Sequence, residues 1–222
     1  MKLRELLRLL LWPLIGCCIL FGAQTFFSQY TQGESRLLDY LNGIVDMREE
    51  RTLGTWFETL LFALTGITFF LVSRHPALPK FGKTLLILMA LGFVFLSADE
   101  MLSLHEFMGY ELEQATGIVK DTTLDQCGYS WVLLYAPIAV VVAGLLFSFY
   151  RRMTKDNKAA GICFILAWVA VGLVVLGEVV DGMSILEQVN LSYVPCVEES
   201  MEFVFIMLFY TANLLIAEQA EL

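Results

Sequence analysis

Residues 161–181 read GICFILAWVAVGLVVLGEVVD, and the first seventeen of them carry no charge. At about 1.5 Å per residue, a helix of this length crosses the ~30 Å hydrocarbon core of a bilayer. The stretch ends on Glu178 and Asp181, two carboxylates three residues apart and therefore on one helix face. A membrane-length apolar run with acidic groups at one end is the pattern of the whole chain.

A window of about 19 residues finds five more apolar stretches, at residues 7–27, 55–73, 84–106, 131–150 and 198–217. None alternates apolar with polar residues as a barrel strand does, and only helices or closed barrels satisfy the backbone in lipid. The expected fold is all-α and integral to the membrane, a six-transmembrane-helix bundle forming a single domain over residues 1–222. Composition agrees: 58% of residues are hydrophobic and only 17% charged, outside the range of soluble domains. The net charge of −9, with no dense cluster of Lys and Arg, excludes a nucleic-acid partner. The sequence contains no internal repeat, no low-complexity tract and no linker.

Charge sets the expected orientation. Lys2, Arg4 and Arg8 precede the first stretch, Arg74, Lys80 and Lys83 join the second to the third, and Arg151, Arg152, Lys155 and Lys158 join the fourth to the fifth. These segments hold 10 of the 14 basic residues, so the positive-inside rule assigns them and both termini to the cytoplasm. A bacterial inner (cytoplasmic) membrane is the expected location, with the lipid bilayer as first partner and a second membrane protein or a second copy as further ones. Lys2 to Arg8 followed by an apolar run has the form of a signal peptide, but the run continues through Phe27, and an uncleaved helix is expected. Between the first two stretches, Leu37, Leu38, Leu41, Ile44 and Val45 fall at helical spacing. That spacing predicts a short amphipathic helix on the outer membrane surface.

Cys17, Cys18 and Cys163 fall inside apolar stretches, whereas Cys127 and Cys196 fall in links on the outer side, where thiols oxidise. Those two are the candidate disulfide.

Ionisable residues inside membrane helices cost about 2.5–3.5 kcal/mol each on insertion scales and mark function by default. Here they are Glu58, then Asp99, Glu100, His105 and Glu106, then Glu178 and Asp181, then Glu198, Glu199 and Glu202. The alternating topology brings all four groups to the outer half of the bundle. On a straight helix Asp99, Ser103, Glu106 and Tyr110 share one stripe. His105 lies about 100° from Glu106 and joins the site only if it faces a second neighbouring helix or if the helix end deviates. Several carboxylates facing one another cannot all stay ionised in low dielectric unless a cation neutralises them. Carboxylates with at most one imidazole suit Ca²⁺, Mn²⁺, Mg²⁺ or iron rather than a tetrahedral zinc site. Glu106, Asp181 and Glu198 also fit solvated helix ends. The only two histidines, His75 and His105, fall at opposite ends of the bundle, which excludes a bis-histidine haem.

Trp56-Phe57 opening the second helix, Asp99-Glu100 with His105-Glu106 on the third, and Glu198-Glu199-x-x-Glu202 on the sixth resemble a family of uncharacterised bacterial multi-pass inner-membrane proteins. The resemblance implies an inner-membrane location and brings no activity with it. Three functions are left in play. The first is a divalent-metal site in the outer half of the bundle, serving an enzyme that acts on a lipid-like substrate. The second is a proton- or cation-coupled carrier or channel, and the third a non-catalytic accessory subunit of a larger membrane complex. The nearly apolar inner halves of the third, fifth and sixth helices count against transport.

Overall fold

The computed structural model describes residues 3–31, 35–45, 52–117, 132–187 and 194–222. They form eight helices: α1 (Leu3–Thr31), α2 (Arg36–Val45), α3 (Leu53–Val72), α4 (Lys80–Leu102), α5 (Leu104–Thr116), α6 (Val132–Met153), α7 (Lys158–Glu187) and α8 (Val194–Gln219). All except α2 and α5 contain a segment long and apolar enough to cross a membrane, six in total among the described residues.

Local chemistry sets several boundaries. Thr52 is extended and its hydroxyl accepts the Thr55 N–H at 3.3 Å, an N-cap for α3. Pro79 precedes the first residue of α4. The third apolar stretch does not run on as one helix to residue 106. Ser103 takes left-handed angles (φ 49°, ψ 43°), its N–H bonding the Asp99 carbonyl at 2.7 Å, and the chain restarts as α5 in a new direction. Ser103 is both the C-cap of α4 and the residue before α5.

In lipid there is no hydrophobic drive between helices, so association depends on close van der Waals packing at small residues and on interhelical hydrogen bonds. The α7–α8 pair, the most extensive contact in the bundle, buries Ala160, Ala167 and Ala170 of α7 and Ala212 and Ala217 of α8. Helix α8 also packs on α3 and α1, and α3 packs on α4. Rings fill the space these helices enclose: Phe209 of α8 lies 5.7 Å from Phe69, 5.8 Å from Phe93, 6.0 Å from Phe164 and 5.4 Å from Trp168. Such pairs contribute about 0.5–1.5 kcal/mol each beyond their burial.

Helices α1 and α8 run antiparallel. Tyr210 donates to the Leu7 carbonyl at 2.6 Å and Arg8 pairs with Glu218 at 3.1 Å, so both termini lie at one end of the bundle, here called the termini end. In that half a buried polar chain joins three helices: Tyr150 of α6 donates to Asn213 Oδ1, and Asn213 Nδ2 donates to Thr68 Oγ1 at 3.0 Å. His75, in the turn after α3, is half-buried rather than fully exposed, and its Nδ1 accepts the Ala77 N–H at 3.2 Å.

Helix α6 is held differently from the others. Its buried residues, Leu146, Phe149, Tyr150 and Met153, all fall at the termini end, while Ile138, Val140 and Val141 are exposed. Among the described side chains of the half of α6 away from the termini none is fully buried, and Val142 packs partly against the core. The short helix expected between the first two spans is α2. Its Asn42 is buried and accepts from Gln24 of α1, while Leu37, Tyr40 and Leu41 form an exposed apolar face.

Candidate metal centre

Three helices each supply one carboxylate at the end of the bundle away from the termini. Helix α3 lies between α4 and α8 and packs on both. It carries Glu58, α4 carries Glu100 and α8 carries Glu202, with one carboxylate oxygen from each lying within 4.8 Å of the others. Glu58 is 1% exposed, whereas Glu100 and Glu202 are half-buried, so Glu58 forms the floor of the group. Measured along each helix from the end of its membrane-length segment, the three lie roughly 3–9 Å in. The site is set just inside the apolar region, with no barrier of full membrane depth on its near side.

The sequence around each residue explains the convergence. Helices α3 and α4 run antiparallel, and Ser97, three residues before Glu100, donates to the Thr59 carbonyl at 2.8 Å, which ties the two helices directly beneath the carboxylates. Next to Glu58, the Phe57 ring packs in tilted contact with Phe21 at 5.2 Å and Phe203 at 5.9 Å, joining α1, α3 and α8 at this level. One turn further from the mouth, Phe62 lies 5.9 Å from both Phe93 and Phe205. The carboxylates rest on this layer of rings.

Electrostatics makes the arrangement costly without a counter-charge. Two unit charges 4 Å apart repel by about 4 kcal/mol at an effective dielectric constant near 20, and Glu58 experiences the charges of Glu100, Glu202 and Glu199 together. The Glu58 and Glu202 carboxyl groups each bring an oxygen within 4.8 Å of the other. Glu58 Oε1 is buried and has no hydrogen-bond partner among the described residues. A buried carboxylate oxygen without a donor is unfavourable by about 1–3 kcal/mol or more. A divalent cation held here would remove both costs at once, neutralising the facing carboxylates and coordinating the orphaned oxygen.

The other candidate residues sort differently. Asp99 is buried but turns away from this group: Oδ1 accepts the His105 N–H at 2.6 Å and Oδ2 lies 3.2 Å from His105 Nδ1. The carboxylate thus caps the start of α5 across the Ser103 break and orients the imidazole. The deviation of the helix end does bring His105 to Asp99, but as its hydrogen-bond partner. Asp99→Ala is expected to destabilise α5 by about 1 kcal/mol and to leave metal stoichiometry unchanged. Faster amide exchange at His105, with whatever metal content the wild type shows retained, checks this; a lower metal content than the wild type would refute it. Glu198 packs its stem towards α7, since a Cβ on Gly177 would lie 3.2 Å from Glu198 Cβ. Glu199 acts electrostatically on Glu58 from one turn nearer the start of α8. The side chains of Glu106, Glu178 and Asp181 lie outside the described residues. Cys127 does as well, and with it the Cys127–Cys196 pairing; Cys196 is buried, its thiol directed at the Thr25 carbonyl at 3.8 Å.

The sequence reading did not find the Ser97–Thr59 tether or the capping role of Asp99. Neither has a spacing signal: the break at Ser103 depends on Asp99 Oδ1 accepting the N–H of His105, two residues beyond it, which only the folded chain brings about.

No curated protein and no solved structure matches the chain. A family model does, over residues 11–216, so the chain belongs to the family described as a domain of unknown function, DUF8692.

Proposed function

We propose that this protein is a multi-pass membrane protein that binds a divalent cation between Glu58, Glu100 and Glu202, and that the bound ion serves chemistry on a lipid-like substrate. The observation that carries the reading is the convergence of three carboxylate oxygens within 4.8 Å around a buried, partnerless Glu58 oxygen. An all-oxygen donor set selects hard cations, Ca²⁺, Mg²⁺, Mn²⁺ or ferrous iron, over zinc held by cysteine and histidine. Such an ion polarises a carbonyl or phosphoryl oxygen and lowers the pKa of bound water. The depth of the site supports the substrate class, because the carboxylates lie just inside the apolar region and Met101, next to Glu100, is exposed.

The same reading orients the molecule. Basic residues gather at the termini end, which on the positive-inside rule faces the cytoplasm of a bacterial inner membrane. The metal site then lies in the outer half, and α2 lies on the outer surface with Leu37, Tyr40 and Leu41 in the acyl boundary. Transport through the bundle is disfavoured because the layer of Phe62, Phe93 and Phe205 closes the route beneath the carboxylates.

Elemental analysis of the full-length protein purified without chelator tests the proposal. The expected result is stoichiometric divalent metal, lost in both Glu58→Gln and Glu202→Gln while the helical content of the protein is retained. Folded wild-type protein that stays metal-free after incubation with Mn²⁺, Mg²⁺, Ca²⁺ and Fe²⁺ would overturn it.

A further inference from the structure

We infer that the first two turns of α5 are a lipid-contact surface, seated in the acyl–headgroup boundary at the end of the bundle away from the termini, with the last turn in water. This rests on the membrane-spanning reading above and is independent of the metal site.

Length is the first argument. Helix α4 has 23 residues, which at about 1.5 Å each span about 34 Å and already cover the ~30 Å of hydrocarbon. Continued in the same direction, the helix would carry Phe107, Met108 and Tyr110 out of the apolar region. The chain turns instead at Ser103, whose left-handed angles are unfavourable for a residue with a Cβ. Such a residue persists only where its surroundings hold it. Here the buried Asp99 carboxylate does so, accepting the His105 N–H at 2.6 Å and lying 3.2 Å from the His105 ring.

Exposure is the second argument. His105, Gly109 and Leu112 share one face of α5; they are buried or half-buried, and α5 packs on α4. The other side changes character along the axis. Up to Tyr110 its described exposed residues are apolar or aromatic, with Phe107 62% and Tyr110 59% exposed. From Glu111 onward the exposed residues are polar or small, Glu111 and Gln114 among them. Tyrosine favours the membrane–water boundary, and Tyr110 stands where the exposed side turns polar.

Continuity identifies the occupant. Leu88, Leu91, Phe95 and Leu102 are exposed and fall within 60° of one another around α4, a stripe that lipid covers in a membrane-spanning helix. That stripe runs to the break at Ser103, and the exposed Phe107 and Met108 prolong it beyond. Lipid therefore covers both.

Spin labels in the full-length protein reconstituted into phosphatidylcholine vesicles test this. Phe107→Cys, Gln114→Cys and Leu91→Cys are made singly after the five native cysteines are replaced by serine or alanine. Each label's collisions with dissolved oxygen, which concentrates in lipid, are compared with those of a water-soluble nickel chelate. The expected oxygen-to-nickel ratio is highest at 91, several-fold lower but still above one at 107, and below one at 114. A nickel preference at 107 equal to that at 114 places α5 in water and overturns the inference. A label at 107 shielded from both reagents means that protein covers this face, which also overturns it. A nickel preference at 91 overturns the membrane-spanning reading itself. If the cysteine-free chain does not fold, benzoylphenylalanine in place of Phe107 in the otherwise unaltered protein decides: photocrosslinking to phospholipid supports the inference, and crosslinking to protein or no crosslink overturns it.

Discussion

Saturating Mn²⁺ is expected to raise the melting temperature of the wild-type protein by roughly 5–10 °C, and Glu58→Gln to abolish that rise while making the metal-free protein more stable than the metal-free wild type. The first half follows from linkage: a ligand at a hundred times its dissociation constant stabilises the folded state by about 2.7 kcal/mol. A kilocalorie shifts the midpoint of a domain of this size by about 2–4 °C. The second half follows from the charge arrangement. Without metal, Glu58 is buried among Glu100, Glu199 and Glu202 and leaves one oxygen unpartnered. An amide in its place removes one repelling charge and brings an N–H₂ group that donates to Glu202. A gain of about 1–2 kcal/mol is expected, well below the ~4 kcal/mol of an unscreened pair, because Glu100 and Glu202 are only half-buried and water screens part of the repulsion. The effects of the substitution thus have opposite signs with and without metal. A purely structural glutamate would produce the reverse: loss of stability on substitution in the metal-free state, and no dependence on Mn²⁺. Differential scanning fluorimetry with and without chelator distinguishes the two.

The parts of this molecule that the sequence makes legible are those written in continuous apolar length. Six such runs correspond to six membrane-length helices, and the amphipathic spacing of Leu37, Leu41 and Ile44 corresponds to α2. The break at Ser103 is not written that way. No Gly or Pro interrupts residues 93–108 apart from the run itself continuing, and the left-handed turn is stabilised by the Asp99 carboxylate reaching over it, a tertiary use of a side chain that helical periodicity does not encode. That break decides which acid does what: on a straight helix Asp99 points with Glu106, whereas in the structure Asp99 is engaged by His105 and its neighbour Glu100 faces Glu58. Glu58 stands alone on its helix, so no spacing motif distinguishes it. Its importance comes from α3 lying between α4 and α8, a fact of packing order. Which face of each helix meets protein is hidden for another reason: in a membrane the face that meets lipid and the face that meets protein are both apolar, so pattern alone does not separate them.

On the proposed metal-binding reading, packing and metal affinity are coupled through the α3–α4 contact, and Gly66→Ala is expected to weaken both. A Cβ at Gly66 would lie 2.9 Å from the Ala90 carbonyl oxygen and 3.3 Å from Val94 Cγ2. The first of these is a backbone atom in the middle of a helix, so it cannot rotate away; α4 must move as a body. Overpacking of this kind costs about 1–3 kcal/mol. Helix α4 also carries Ser97, which holds Thr59 of α3 at 2.8 Å, and Glu100, which faces Glu58. A shift of a few tenths of an ångström is transmitted along a stiff helix to a ligand whose distance to the ion must hold within ~0.2 Å. Loss of metal affinity by about tenfold or more is expected, the scale seen when residues supporting metal ligands are altered. Gly92→Ala supplies the control, since a Cβ there meets nothing within 4 Å and the substitution only adds helix propensity. Mn²⁺ titration and thermal unfolding of the two variants should therefore diverge, Gly92→Ala matching or exceeding the wild type and Gly66→Ala falling below it in both. Equal metal affinity in the two would show that the position of Glu100 does not depend on how closely α4 seats against α3.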